Sequence, residues 1–573
     1  MAEWVKVFPS AADTIPKSVA DSTSPTGFGY NHQTKSQLKT FLDIDDIEAK
    51  AIFDQVNVKD YCVCNGVVDN TADIQSLIDD NTSIYIPEDA ICKITQLTIS
   101  ESDVKIYGGG TLYIDMESED SIDYADYYGI KLIGDINQKN ILIDGIKFTG
   151  IGDYGGIFGT TISLTAGWGD GGSPSTPVLT DANYEARENI IIKNCTFESV
   201  GKSAIFLTNC NADVMNVIIN GCDNSDDIGV ITVRGCNKVN YKNIKTYSWN
   251  SKNLNVSYAK NVTIENILGL SGLTTPMVFY IGYFCENIIV SNIKSVGATP
   301  FKTSYYAKNI IIDNVIALDS PDYSFIQGSI NVSLTNSYLH ATGKNALQIY
   351  YHNVYGDLRS NDIRIHNCKI ENATACTTNT EASLYAHICD NIYITNSDII
   401  GGLSVRDVDV IEFDNCRFDG TNAYDYMLYL RDMTNVIFET CKIKDGVVGG
   451  YLGYLHGDSK ASTVFFRNNI FQTQNDGQGA IYSSYFTGGS ITFIDNIRTD
   501  GSISGIFSFQ GGFGGSKIAK YIDLYMDAAP TSGRWYVGDK VYNTAPTAGG
   551  TIGWVCTTAG TPGTWKTFGA ITA

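Results

Sequence analysis

The sequence is poor in positive charge. Lys and Arg total 40 against 62 Asp and Glu, and the formal net charge is −22. A general nucleic-acid binder, or a protein held on an anionic membrane surface, needs a basic electrostatic field. We therefore expect no nucleic-acid partner, and any polyanionic partner must be met by a local basic patch.

Long hydrophobic runs are also absent. The longest apolar runs are short strand-like pieces, so we expect no membrane insertion, and the start MAEWVKVFPSAAD lacks the basic and apolar stretches of a secretory signal. The 14 cysteines and 6 histidines show no metal-ligand spacing, and no Ser-His-Asp spacing, Walker loop or nucleotide fingerprint stands out. We predict reduced, buried cysteines, no metal and no cofactor.

A seven-residue repeat dominates the sequence, and NIIIDNV at 309–315 is a typical copy. Its second position is Ile or Val and its fourth is apolar, a period of two that predicts a strand with one buried face. Its sixth position is mostly Asn or Gly, which tolerate the left-handed conformation of a sharp corner. The copies begin at Asn140, Asn189, Asn216, Lys238, Asn261, Asn287, Asn309, Asn331, Asp362, Asn391, Val410, Asn435 and Thr463, a spacing near 22 residues with insertions.

A second alternating strand precedes each copy, as in ALQIYY at 346–351 and LSVRDV at 403–408. Short strands joined by tight corners in so short a unit leave no room for helical crossovers. We therefore predict an all-β chain whose coils stack into a single-stranded parallel β-helix, a solenoid. Cysteines at the seventh position, such as Cys368 and Cys416, are expected in its core.

The third position of the repeat carries apolar residues that should face outward, such as Ile289, Ile311 and Phe465. A continuous apolar stripe is too large to leave in contact with water, so we predict that it packs on another copy of the chain. Coverage by an N-terminal segment or by long loops is the alternative.

The segment VKDYCVCNGVVDNTADIQSLIDD at 58–80, followed by IYIPEDA at 84–90, resembles the start of the pectate-lyase-like parallel β-helix family found in bacteriophage tailspikes. With the repeats, the resemblance covers residues 56 to about 527. It implies a right-handed solenoid, a helix near 71–80 that caps the first coil, and a homotrimer. The family usually has Gly where Cys62 and Cys64 stand here, and its members include hydrolases, lyases and proteins that do not cleave.

The flanking segments differ in composition from the repeats. Residues 1–55 contain a helical pattern and are interpreted as an N-terminal neck or as an attachment to a phage tail or baseplate. Residues 56–527 form the solenoid. Residues 528–573 are rich in Gly, Thr and Pro and predict a small C-terminal β module, whose tryptophans are expected mainly in its own core, with sugar stacking as the alternative.

Aromatic and cationic residues recur at outward positions of the strands that precede the repeat. Neighbouring coils lie about 4.8 Å apart, so we predict one continuous stripe that binds a sugar chain. Aromatic faces pack on sugar rings, and Arg binds carboxylates through paired hydrogen bonds. The predicted substrate-binding residues are Tyr350, Tyr385, His387, Arg406, Tyr429 and Arg431, flanked by Gln348, Ser404, Tyr454 and His456. A solvated face rich in strand-forming Tyr is the alternative.

Glycoside hydrolysis requires two carboxyl groups. Asp407 and Asp432 follow the stripe arginines on adjacent coils and form one candidate catalytic pair, although strand alternation would point both toward the core. Glu381 and Asp425, two coils apart, form the other pair. A rival site is Asp226 and Asp227 in NSDDIGVITV, which is similar to the paired aspartates of polygalacturonases but lacks that family's neighbouring Asp and His.

We predict a homotrimeric, tailspike-like depolymerase of the phage virion that acts outside the bacterial cell. It would bind and endo-hydrolyse a capsular or other bacterial surface polysaccharide. One alternative is a lyase that removes a proton beside a uronate carboxylate through Arg406 or Arg431, with or without calcium. Another is a receptor-binding spike that holds polysaccharide without cleaving it.

Overall fold

Each copy of the repeat forms a strand whose alternate side chains enter the core. In the computed structural model Ile310 and Ile312 are buried, whereas Ile311 between them is 48% exposed. Ile310 pairs in parallel register with Ile288 of one neighbouring coil and with Val332 of the other. The chain is therefore all-β, as predicted, and forms a parallel β-solenoid of about 13 turns with a small separate C-terminal sheet.

The structure divides into two compact units, Met1–Pro276 and Met277–Ala573. The predicted neck, residues 1–55, lies outside the described residues. Those described are 56–80, 83–115, 128–133, 137–151, 154–159, 187–201, 203–222, 229–249, 252–270, 277–343, 345–351, 358–378, 381–423, 426–444, 451–456, 462–472, 480–483, 489–498, 508–511, 517–521, 525–531, 535, 537–560 and 562–573.

The strands of the first unit belong to three parallel sheets. We name them the repeat sheet, which carries the repeat, the following sheet after its corner, and the preceding sheet before it. The repeat sheet contains Val56–Asn57, Ser83–Ile86, Lys105–Gly108, Lys139–Asp144 and Arg187–Lys193; the following sheet Asn65–Asp69, Ile91–Ile94, Thr111–Asp115, Lys147–Ile151 and Thr196–Val200; the preceding sheet Leu97–Ile99, Tyr128–Leu132, Gly155–Gly159, Ile205–Thr208, Ile231–Arg234 and Lys252–Ser257; and Cys210–Cys222, Val239–Trp249 and Lys260–Leu270 run from the repeat sheet into the following sheet.

A single α-helix is present among the described residues, at Thr71–Asp80. Just before its start, the Asp69 carboxylate accepts hydrogen bonds from the Thr71 backbone N–H at 2.8 Å and from the Thr71 hydroxyl at 2.6 Å, which closes a turn ahead of the helix. The apolar face of the helix is buried through Ile74, Leu77 and Ile78. Its position matches the helix that the sequence predicts near 71–80, and a short 3₁₀ helix, Val58–Asp60, precedes it.

The second unit repeats the same three sheets. Its repeat sheet contains Ile330–Thr335, Asn361–His366, Asn435–Glu439, Thr463–Arg467, Ser490–Ile494 and Lys517–Tyr521; its following sheet Tyr338–Ala341, Lys369–Asn372, Asp398–Ile400, Arg417–Asp419, Lys442–Lys444, Ile470–Gln472 and Ile497–Arg498; and its preceding sheet Met277–Gly282, Thr299–Thr303, Ser324–Gln327, Leu347–Tyr350, Tyr426–Arg431, Tyr451–His456, Ala480–Ser483 and Ser508–Gly511. Glu286–Val296 and Lys308–Ser320 run from the repeat sheet into the following sheet, and Leu384–Thr395 and Leu403–Asp414 run from the preceding sheet into the repeat sheet.

The repeat contains two left-handed corners, of which the sequence predicts one. Asn314, at the sixth position, has φ 52°, and Asn309, at the first position, has φ 55°. Each side chain donates to the equivalent Asn of the neighbouring coil, Asn314 to Asn292 at 2.8 Å and Asn309 to Asn287 at 3.0 Å. The asparagines therefore both turn the chain and link successive coils.

The predicted alignment of one repeat copy is wrong. Val214 pairs with Tyr241, so this copy begins at Asn211, and Asn216 is its sixth-position corner with φ 54°. The error arises because the residues after Asn216 also alternate, as a following-sheet strand does. Ile218 consequently belongs to the following sheet.

All fourteen cysteines are free. Twelve of them are buried, eleven in the coils of the solenoid and one, Cys556, in the C-terminal sheet. Burial raises the pKa of Cys368 to about 11. The exceptions are Cys62 and Cys64, which are half-buried beside Cys92. The prediction that most cysteines are reduced core residues agrees with this placement.

The predicted apolar stripe on the repeat sheet is not continuous. Ile289 pairs with Ile311, and each is 48% exposed. The next coils place polar or mixed side chains in the same column, namely Ser333, Arg364, Tyr393 and Glu412. Beyond them Ile437 and Phe465 are apolar and partly exposed. The described column therefore contains separate apolar patches, and self-association stays a prediction.

The C-terminal module is a four-stranded sheet with its own small core. Its strands are Tyr525–Met526, Lys540–Asn543, Thr551–Thr558 and Thr564–Ala570. Trp535, Val541 and Cys556 are buried together, and Trp565 packs edge-to-face on Trp535 at 4.8 Å. These tryptophans therefore serve the core of the module, as the sequence analysis favours.

Candidate functional site: a stripe on the preceding sheet

The residues of the predicted sugar-binding stripe lie side by side on the preceding sheet. Tyr350 pairs with His387, His387 with Arg406, Arg406 with Arg431, and Arg431 with His456. A parallel second column runs through Gln348, Tyr385, Ser404, Tyr429 and Tyr454. The register thus follows from stacking strands of equal phase, whereas the binding role of these residues stays a prediction.

Two residues of the second column are buried. Tyr385 is 7% exposed and Ser404 is fully buried, whereas Tyr350, His387 and Arg406 of the first column are partly exposed. The sequence predicts an outward direction for all of them. The other second-column residues, Gln348, Tyr429 and Tyr454, are partly exposed.

Aromatic rings gather at both ends of the stripe. At one end Tyr350 lies 5.2 Å from His387 and 6.3 Å from Tyr385, measured between ring centroids. At the other end Tyr429 and Tyr454 stack in parallel at 5.1 Å. The arginines lie between these ring clusters, an arrangement that suits a chain of sugar rings carrying an acidic group.

Three buried polar atoms near the centre of the stripe have no hydrogen-bond partner within the described part of the chain. They are Nδ1 of His387, Oγ of Ser404 and Nε of Arg406. Buried polar atoms are almost always paired, so such a cluster requires an explanation in water or in a ligand. An ordered water satisfies such atoms as well as a ligand does, so the binding role of the stripe stays a prediction.

His387 carries no charge near neutral pH. Its pKa is lowered from 6.5 to about 4, first because burial disfavours the charged ring and second because Arg406 repels it. Burial also raises the pKa of Tyr350 to about 12. Near neutral pH the imidazole of His387 is therefore available as a proton acceptor beside Arg406.

Asp407 and Asp432 occupy left-handed corners at the edge of the stripe. Both have φ 51°, and both are half-buried. Strict strand alternation would direct them into the core, but the corner changes the direction of the chain at these residues. Asp432 accepts a hydrogen bond from Nε of Arg431 at 3.2 Å, which ties one carboxylate to the stripe.

Glu381 and Asp425 form the other predicted catalytic pair. Glu381 accepts hydrogen bonds from the backbone N–H and the hydroxyl of Thr377, at 2.7 Å and 2.5 Å. This carboxylate therefore closes a turn in its own loop. Asp425, its predicted partner, lies outside the described residues, and so do the rival pair Asp226 and Asp227.

The sequence analysis did not identify three charged residues beside the stripe, namely Arg359, Asp390 and Asp409. Arg359 forms ion pairs with Asp390 and, at 3.6 Å, with Asp409. It also donates to the backbone oxygens of Cys389 at 2.8 Å and Asp407 at 3.0 Å. Arg359 therefore holds the corner that carries Asp407, and the signal for it was the unusually long interval between the repeat copies at Asn331 and Asp362.

No group of three or more His, Cys, Asp or Glu side chains suited to a metal ion occurs in the described ranges. Within the same ranges, no helix has both the length and the apolar character needed to cross a membrane.

Solved structures similar to this chain are parallel β-helix proteins and include phage tailspikes. The pre-mature gene product 12 of bacteriophage phi29 is 14% identical, with a TM-score of 0.42 over 93% of this chain and 85% of that chain. The Pseudomonas phage phi297 tailspike gp61 is 11% identical, with a TM-score of 0.38 over 80% and 82%. A hyperthermoactive exopolygalacturonase from Thermotoga maritima is 12% identical, with a TM-score of 0.35 over 69% and 95%.

At these identities and TM-scores, the similarities establish no activity for this chain. No family model matches the sequence, and no curated protein matches it.

Proposed function

We propose that the chain is a tailspike-like depolymerase that binds an acidic bacterial surface polysaccharide along the stripe and hydrolyses it. The observation that carries the proposal is the register of Tyr350, His387, Arg406 and Arg431 on four successive coils. Arginines between ring clusters match a polymer in which an acidic sugar alternates with apolar ring faces. An open stripe accepts the middle of a chain, which favours endo cleavage.

Asp407 and Asp432 are the proposed catalytic pair. They follow Arg406 and Arg431, which are paired on adjacent coils, so their backbones lie about 5 Å apart. This backbone spacing allows the carboxyl separation of a retaining mechanism, about 5 to 5.5 Å, and we propose that mechanism. Asp432, hydrogen-bonded to Arg431, acts as the carboxylate that attacks the anomeric carbon. Asp407 donates the proton to the leaving oxygen, and in the second step it takes a proton from the water that releases the sugar from Asp432.

The test measures reducing ends released from a panel of purified capsular polysaccharides. The Asp407→Asn and Asp432→Asn variants should each lose nearly all cleavage while still retaining the polysaccharide in affinity electrophoresis. Asp398→Asn is the matched control, because Asp398 is a half-exposed aspartate on the following sheet, 3.6 Å from Arg417. Full cleavage by both site variants would refute the assignment of the pair.

A lyase is the second candidate, because His387 is neutral and adjacent to Arg406. In this reaction Arg406 holds a uronate carboxylate and His387 takes the neighbouring ring proton. The glycosidic oxygen then leaves with a proton taken from water or from the protonated His387, and a carbon–carbon double bond forms. The product is conjugated and absorbs ultraviolet light, whereas a hydrolysis product does not. New ultraviolet absorbance that is lost in His387→Gln, but kept in both aspartate variants, would show that the chain cleaves by elimination and not by hydrolysis.

The same stripe also serves a receptor-binding spike that holds polysaccharide without cleaving it. Retention of a capsule with neither reducing ends nor new absorbance would favour that function. We further propose, from the family resemblance, a homotrimer attached to the phage tail through the N-terminal segment. Sedimentation of the full chain checks the trimer, since a monomer would contradict it.

A further inference from the structure

Two coils near the start of the second unit turn through aromatic residues in the left-handed conformation. Tyr283 and Phe284 have φ 48° and 61°, and Tyr305 and Tyr306 have φ 57° and 63°. Among the described non-glycine residues, these are the two places where left-handed residues follow one another directly. We name these four residues the aromatic corner.

A left-handed backbone is strained for a bulky aromatic residue. Elsewhere in the same unit, the corner between the preceding and repeat sheets uses one left-handed residue, namely Gly328, Ile388, Asp407 or Asp432. Gly and Asp enter this conformation at lower cost, and Ile388 is a single bulky exception. Two bulky left-handed residues in succession, on two adjacent coils, are more than turning the chain requires, and strain of this kind accumulates at functional sites.

The rings of the aromatic corner form two parallel stacks. Tyr283 and Tyr305 lie 4.3 Å apart with an angle of 7° between ring planes. Phe284 and Tyr306 lie 5.1 Å apart at 4°. All four residues are partly exposed.

The aromatic corner is continuous with the stripe. Lys302 pairs with Phe325, Phe325 with Gln348, and Gln348 with Tyr385 of the stripe. From the coil of Tyr305 to the coil of Arg431 is five steps, or about 24 Å at the spacing of parallel strands. Lys302 and Phe325 are partly exposed, so they continue the mixed cationic and aromatic surface between the two regions.

We propose that the aromatic corner is a second saccharide-binding site that stacks on an uncharged sugar ring of the same polysaccharide. This inference rests on the proposed function and extends it, because the arginines would hold the acidic sugar while the rings hold a neutral one. The bound polymer is then a heteropolysaccharide that contains both kinds of sugar. Its chain must reach about 24 Å to occupy both sites at once.

The test compares binding of long and short fragments. A panel of purified capsular polysaccharides is screened with the full chain by affinity electrophoresis, and a retained polysaccharide is cut into sized fragments for titration. The Tyr305→Asn/Tyr306→Asn variant puts into the corner the residue that other corners use. Its affinity for long fragments should fall about tenfold, the effect of one well-stacked ring, while its affinity for disaccharides that bind at Arg406 stays unchanged.

Two controls separate this inference from its alternatives. Tyr305→Phe keeps the ring and should bind long fragments normally, and Tyr393→Asn removes a partly exposed ring from the repeat sheet and should have no effect. If Arg406→Ala weakens binding but the double variant binds long fragments normally, the aromatic corner is not a binding site and the proposed function stands. If the intact chain retains no polysaccharide of the panel, both fail.

Discussion

Replacing Asn314 by Ala tests the corner on which the coil register depends. Asn314 has φ 52°, and its side chain donates to Asn292 at 2.8 Å. Loss of this exposed hydrogen bond costs about 0.5 to 1 kcal/mol, and forcing Ala into the left-handed region costs about 1 to 2 kcal/mol. The sum, about 1.5 to 3 kcal/mol, corresponds to roughly a 10- to 150-fold change in an opening equilibrium.

Native-state hydrogen exchange is the suitable assay, because a repeat array of this length need not unfold in one step. Exchange of the amides in Glu286–Val296 and Lys308–Ser320 should accelerate by that factor in Asn314→Ala. In Asn314→Gly the acceleration should be several-fold smaller, since Gly keeps the left-handed freedom and loses only the hydrogen bond. Equal acceleration in the two variants would refute the claim that the asparagines are there for their backbone conformation.

Asn240→Ala provides the matched control for the hydrogen bond alone. Its side chain donates to Asp213 at 2.6 Å, and its backbone is not left-handed. Exchange in Val239–Trp249 should therefore accelerate only about fivefold, the effect of one hydrogen bond worth about 1 kcal/mol.

Three further predictions concern the core and the stripe. Phe438→Ala should destabilise its coil by about 3 to 5 kcal/mol, because the ring is fully buried and stacked at 4.9 Å on both sides. Local hydrogen exchange measures this loss of stability. The control Phe465→Ala, at a partly exposed position, should destabilise the coil less. Arg406→Ala should weaken polysaccharide binding about tenfold or more at low salt and less at high salt, since salt screens charge attraction. Titration of the polysaccharide at two salt concentrations measures this. An equal loss of affinity at both concentrations would contradict the role of charge. The pKa of His387 is about 4 when folded and 6.5 ordinarily, so the unfolded chain takes up this proton first and His387 reduces stability as the pH falls from about 6.5 toward 4. His387→Gln should flatten the acid limb of the thermal-unfolding profile, and an unchanged limb would count against the buried neutral ring.

The solenoid was predictable because its information is local and repeated. Alternation at Ile310 and Ile312 defines the buried face, and Asn314 marks the end of the strand. The first-position corner at Asn309 was missed because an asparagine before a strand resembles any turn residue. The copy predicted to begin at Asn216 begins at Asn211 instead. The pattern alone does not prevent this error, because an asparagine between two alternating strands fits either the first or the sixth position of the repeat.

The stripe was predictable only in its register. Equal strand phases bring His387, Arg406 and Arg431 together whatever the loops do. Burial of Tyr385 depends on neighbouring side chains, which a single strand pattern does not specify. Arg359 was missed for a related reason: it reaches Cys389 and Asp407, 30 and 48 residues further along the chain, from the end of a long insertion.

The left-handed corners contribute both to the fold and to the proposed chemistry. A strand alone allows its side chains only two directions, into the core or directly outward. A left-handed residue at its end turns the chain from one sheet into the next, and Asp407 and Asp432 both have this conformation. Because the corner recurs on each coil, a carboxylate there is repeated at the coil spacing. In the proposed mechanism, the residues at these corners therefore determine which coils carry the two carboxyl groups that hydrolysis requires.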